Sequence, residues 1–295
     1  MNKLVTIVLL ILVLGAFGCS NSTTSPGESL KVTTLLNDLE YPKGLWIEGG
    51  KVYFTETNGR NTAYGGKVAL SEYDPATSAK TLIIDNPENS DAVVVTASGT
   101  MYLTSWHGSI PGNLGKVSMV DAVTHVESQV TDLQIASIDM FLKSNDDILV
   151  IGESTDQGAN SMYRLPSGSY GSPEVVHQGL GRSKCVAEVG GVIYYSDDYD
   201  IKRFISNGTL ETFASSKSVE SISATSSWVY YADTESGTVA RISVGSRTNE
   251  LLVDHLHSPT AVRWVASSKK LYILDAGTDA NQFKDGTLKV VTGLR

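Results

Sequence analysis

Six polar residues at corresponding points of a repeated segment carry much of the chemistry open to this sequence: Lys43, Asp91, Asp139, Lys184, Glu220 and Thr260. Three carboxylates brought together raise one another's pKa or recruit a divalent cation such as calcium, whereas nearby ammonium groups remove that need by pairing with them. The set is thus a self-compensated polar ring, or a site for a cation or small polar ligand near Asp91 and Asp139. Those two are consecutive in the repeat with no lysine between them.

Four further acids, Glu56, Asp197, Asp233 and Asp275, each end an aromatic strand. Their recurrence argues against catalysis, since an active site is needed once whereas a residue present in most repeats serves the repeat. Buried carboxylates need hydrogen-bond donors, and these acids are expected to find them in the backbone. His255 and His257 stand two apart just before Pro259 and read as a connection rather than a metal pair. Cys185 lies among apolar neighbours and reads as a small core residue. No nucleophile elbow, zinc-protease helix, phosphate loop or dinucleotide fingerprint occurs, so no catalytic residue is assigned.

These residues are placed by the elements around them. From Leu30 onward, strand-like alternation recurs with turns between runs, and no segment shows apolar residues at helical spacing. Six segments align, beginning at the six polar residues named above, and successive starts are 36 to 48 residues apart. A period of about 40–50 residues is that of propeller blades. The fold expected is all-β: a six-bladed β-propeller of four-stranded blades. The sixth repeat ends one strand short, and residues 30–36 precede the first repeat with none of their own. That N-terminal strand is expected to complete the last blade and close the ring, which removes an exposed sheet edge.

In such a ring the first strand of each blade lines the central channel, so the six polar residues would encircle its mouth. The loops between second and third strands rise from the same face and are long in blades one, two, three and six. They carry Asn58, Arg60, Tyr64, Trp106, His107, Asn113, Asp156, Asn160, Asp279, Asn281 and Phe283. Aromatic, amide and charged groups on loops above a rigid scaffold suit recognition of a protein, peptide or glycan.

Tyr194-Tyr195-Ser196-Asp197, Tyr230-Tyr231-Ala232-Asp233 and Tyr272-Ile273-Leu274-Asp275 resemble the YWTD repeat of six-bladed receptor propellers. Tyr41-Pro42-Lys43-Gly44-Leu45 and His257-Ser258-Pro259-Thr260-Ala261-Val262 resemble the Pro-containing lead-in of NHL-type blades. The YWTD resemblance implies that the repeated acids accept backbone hydrogen bonds across neighbouring blades. Ser105 and Gly152 stand where the acid would be in repeats two and three. More distantly, the chain is similar to gluconolactonase-like propellers, which implies a catalytic calcium or zinc at the channel mouth. Their Glu-Gly-Pro-x-Trp motif is replaced here by Tyr41-Pro42-Lys43-Gly44-Leu45-Trp46, with Lys43 where a metal-binding carboxylate would stand.

Ahead of the repeats, residues 4–14 form an apolar run too short to span a bilayer but suited to a signal peptide. Ala16-Phe17-Gly18-Cys19 resembles the lipobox of bacterial lipoproteins, which implies cleavage before Cys19 and acylation of its thiol. Residues 1–18 are then the signal, 19–29 a lipidated cysteine with a flexible tether, and 30–295 the propeller. Ser20 in place of Asp favours the outer membrane or cell surface by the sorting rule of that family. With 23 Lys+Arg against 32 Asp+Glu and a net charge of −9, no affinity for nucleic acid is expected. The function expected is a monomeric, lipid-anchored binding or scaffold module of the envelope. The alternative is a cation-dependent lactonase or lyase working at the channel mouth.

Overall fold

A computed structural model describes residues 29–57, 68–86, 90–105, 115–133, 135–154, 160–197, 199–205, 208–215, 218–281 and 283–295. It is a six-bladed β-propeller, each blade a four-stranded antiparallel meander. Blade one contains Pro42–Glu48, Lys51–Thr57, Val68–Asp74 and Ala79–Asn86, in that order from the channel outward. The other innermost strands are Val93–Val95, Ile135–Leu142, Val186–Val189, Val219–Ala224 and Pro259–Val265.

The ring closes with its first strand. Lys31–Leu39 pairs antiparallel with Gly286–Thr292, Lys31 opposite Thr292 and Leu39 opposite Gly286, so blade six takes its outermost strand from the N-terminal side of the chain. Gly286 makes this seam possible, because a Cβ there would sit 2.7 Å from both the Leu39 carbonyl and the Pro42 ring. The Tyr41 amide donates to the Phe283 carbonyl at 2.8 Å, and the two rings meet edge to face at 4.9 Å. Phe283, a loop residue in the sequence, is thereby buried against the seam.

The core lies between blades. Alternating residues of the second and third strands face the neighbouring sheets, and Phe54, Tyr194, Tyr195 and Tyr230 are almost wholly enclosed. Burying such a side chain contributes about 1.5–3 kcal/mol, and rings stacked in favourable geometry add about 1 kcal/mol. Tyr230 of blade five stacks on Trp264 of blade six at 5.2 Å and 10°. Cys185 is fully buried, and burial raises its thiol pKa, so it sits in the core as expected.

Three of the repeated acids take backbone amides of the connector that leads from the preceding blade into their own. Asp275 accepts from Ser258 at 2.7 Å and His257 at 3.3 Å, Asp233 from Ser218 at 3.4 Å, and Glu56 from Glu40 at 3.2 Å. Asp197 pairs with Lys202. The bonds expected across neighbouring blades thus reach the connector between two blades. Each acid ends a second strand directly beside the chain that leads into the first strand of the same sheet, and the donors within reach are there.

Candidate functional site

The same lead-in that supplies those donors shapes the channel. The ladder between first and second strands slips at Pro42/Leu45, Ser137/Asp139, Val219/Ser221 and Pro259/Ala261. A bulge bends the strand and re-aims its side chains. Lys43, Glu220 and Thr260 stand within these slips, Asp139 ends one, and in blades two and four Asp91 and Lys184 precede the regular strand. All six line one cavity of about 140 Å³ at the head of the channel. A side pocket of about 300 Å³ shares Lys43, Asp91, Lys184 and Glu220 with it and adds Asn160, Arg182 and Ser183. Gly44 lets blades one and two meet here, since a Cβ on it would lie 2.9 Å from the Asp91 carbonyl.

The mouth charges pair from blade to blade. Lys43 Nζ donates to Asp91 Oδ1 at 2.7 Å, and Lys184 pairs with Glu220. Thr260 Oγ1 donates to the Pro42 carbonyl at 2.6 Å and ties blade six to blade one. Burial would lower the Lys43 pKa, but the Asp91 carboxylate outweighs it and holds the ammonium above its ordinary value. Asp139 has no lysine. Its Oδ2 accepts the Val186 amide at 2.9 Å, and burial pushes its pKa up to about 6 despite the opposing pull of that amide and of Arg263.

Arg263 is the residue that reading the sequence overlooked. It lies three positions after Thr260, where the other repeats carry Trp46, Val94, Leu142, Ala187 and Ser223. That mismatch was the available signal. Its guanidinium stacks at 3.9 Å on Trp46 and lies 5.5 Å from Phe141, and it borders both the mouth cavity and a wider one of about 720 Å³ at the opposite end. Burial brings its pKa down to about 10, against the counter-pull of Asp139. Arg263 Nε and Trp46 Nε1 are buried without a hydrogen-bond partner among the described residues.

Of the eleven loop residues read from the sequence as suited to recognition, Asn58, Arg60, Tyr64, Trp106, His107, Asn113 and Asp156 lie outside the described residues, and Phe283 is the one buried at the seam. Asn160 opens the third strand of blade three, is buried, and donates from Nδ2 to the Ser183 carbonyl at 2.9 Å. Asp279 is exposed on a short 3-10 turn. Asn281 donates to Asp285, which also accepts from the Thr278 amide and hydroxyl. These bonds outweigh burial and hold the Asp285 pKa down at about 2.

A divalent cation needs more than this mouth supplies. Among the described residues no three His, Cys, Asp or Glu side chains converge to hold a metal. Asp91 is engaged by Lys43, and two ammonium groups in the same ring would repel a cation. The set does not fit a metal at Asp91 and Asp139 without ligands from elsewhere.

No protein-family model matches the sequence, and no curated protein does. Solved structures do match. Regucalcin, a calcium-binding protein from Agrobacterium tumefaciens, aligns at 15% identity over 89% of this chain and 94% of its own, with a TM-score of 0.68. A gluconolactonase from Xanthomonas campestris aligns at 12% identity over 90% of each chain, with a TM-score of 0.70. Streptogramin B lyase aligns at 12% identity over 89% of this chain and 97% of its own, with a TM-score of 0.59. At these identities the likeness is one of fold: the chain shares the six-bladed propeller of the regucalcin and gluconolactonase structures.

Proposed function

We propose that the protein is a lipid-anchored propeller of the cell envelope, held through Cys19 at the outer membrane or cell surface. It binds a glycan, peptide or protein segment on the face that carries the channel mouth. One observation carries this reading: six residues from six blades converge on a single polar cavity, beside the seam where the long loop of blade six packs through Phe283 onto Tyr41. A ring of paired charges above a rigid sheet presents donors and acceptors in fixed positions, which suits a hydroxyl-rich or amide-rich ligand. The test is a panel of envelope glycans and peptides titrated against the full chain. Binding should weaken at least about tenfold in Asp91→Asn or Lys184→Met, the scale of one lost charged hydrogen bond. Unchanged affinity in both variants would remove the mouth from the site. Cys19→Ser should release the protein into the soluble fraction, and retention on the membrane would remove the anchor.

A second reading is an enzyme of lactonase or lyase type, favoured by Asp139. A channel carboxyl with a pKa near 6 is placed to transfer a proton near neutral pH. Elemental analysis of the purified protein together with lactone hydrolysis decides it. A stoichiometric cation, with turnover lost in Asp139→Asn, would replace the binding reading.

A further inference from the structure

The geometry points to an oxyanion subsite inside the channel, below the mouth, in which the Arg263 guanidinium takes a small monocarboxylate. Arg263 makes no hydrogen bond or ion pair among the described residues, although it lies between two cavities that reach it from both ends of the channel. Arg263 is half-buried and its Nε is enclosed without an acceptor among the described residues, and an enclosed N–H left unmet is costly unless a ligand or water meets it. The Trp46 indole covers one face of it at 3.9 Å, which fixes its plane and leaves the N–H groups along its edge for a ligand. A carboxylate matches that edge with two parallel hydrogen bonds.

Charge supports one negative charge rather than two. Of the three cations that line the mouth cavity, Lys43 is taken by Asp91 and Lys184 by Glu220, and Arg263 is the one that makes no ion pair among the described residues. A monocarboxylate balances it, and a phosphate dianion would overshoot. The cavity of about 140 Å³ has room for several waters or a ligand of a few heavy atoms, and Leu45, Ile138, Ile222 and Val262 give its walls an apolar share. The ligand is then a short carboxylic acid with its head at Arg263 and its tail toward the mouth. This inference uses the mouth as an entrance and does not require it to hold a glycan.

The test is calorimetric titration of the purified full chain at pH 7.5 with acetate, lactate and succinate, and with chloride and inorganic phosphate. At least one monocarboxylate should bind saturably, its affinity falling at least about tenfold in Arg263→Met and by a smaller factor in Arg263→Lys, which keeps the charge and loses the fork. Equal affinity in Arg263→Met, or no carboxylate binding up to about 10 mM, overturns the subsite. Phosphate or chloride binding as tightly as the carboxylates overturns the ligand class. Should Arg263→Met not fold, Arg263→Lys decides alone, and affinity within about twofold of wild type counts against the proposal. Arg263→Met also separates this inference from the glycan reading, because it leaves the Lys43–Asp91 and Lys184–Glu220 pairs of the mouth in place: glycan binding should survive in it whether or not carboxylate binding does.

Discussion

The mouth of the channel and the level one turn of sequence below it differ in how they treat charge. At the mouth, Lys43 is neutralised by Asp91 and Lys184 by Glu220, each across a blade boundary. Below it stands one guanidinium, Arg263, against Trp46 and Phe141 with no hydrogen-bonding partner among the described residues. Four of the five recurring charges, all but Asp139, are compensated across blade boundaries and tie neighbouring blades together. The charge that occurs in one blade and has no counterpart in the others is the one left for a ligand.

The comparison breaks most readily at the repeated acids. Asp275 accepts amides of Ser258, His257 and Gly277, so Asp275→Ala should leave buried donors unmet and cost about 3 kcal/mol in denaturant unfolding, with the ligand contacts of the mouth untouched. A loss under about 1 kcal/mol would mean these acids are not frame residues. Next comes Asp139. Its folded pKa of about 6 lies above the ordinary carboxylate value, so the folded state holds its proton more tightly than the unfolded chain does. The stability this gives is full below about pH 4 and is lost as pH rises through 6, up to about 3 kcal/mol. Asp139→Asn should flatten that part of the pH profile, and an unaltered profile would show that the carboxyl is not desolvated.

Smaller effects sharpen the contrast within the ion pairs. A double-mutant cycle on Lys43 and Asp91 should give a coupling of about 1 kcal/mol, since the Asp91 side chain is only 15% exposed. The same cycle on Lys51 and Glu72, on the outside of blade one with 44% and 20% exposure, should give about 0.3 kcal/mol and vanish in high salt. Equal couplings would mean that the mouth pairs are surface pairs in another place.

The blade architecture was legible because it repeats. A strand alternation recurring six times, with a spare strand at one end and a missing one at the other, leaves few ways to arrange the sheets, and the ring closes at Lys31–Leu39 as the pattern requires. The convergence of Lys43, Asp91, Asp139, Lys184, Glu220 and Thr260 was legible for the same reason. What repetition hides is what occurs once. Arg263 sits among Ala261, Val262, Trp264 and Val265 and reads as an ordinary surface alternation until the neighbouring blades place it in the channel. Asn281 and Phe283 looked like ligand groups because loop composition does not distinguish a residue that faces solvent from one that closes its own loop through Asp285 or packs on Tyr41. The bulges that turn the mouth residues inward depend on blade packing, which no local sequence signal carries.

On the function proposed above, ligands meet this protein in the channel. Backbone amide chemical-shift mapping tests it most directly, with whichever panel compound binds added to the isotopically labelled protein. The largest shifts should fall on Gly44, Asp91, Val186 and residues 261–263, all in or beside the channel. Shifts confined to the outermost strands, such as Ala79–Asn86 or Asn249–Val253, with the channel amides unmoved, would contradict it.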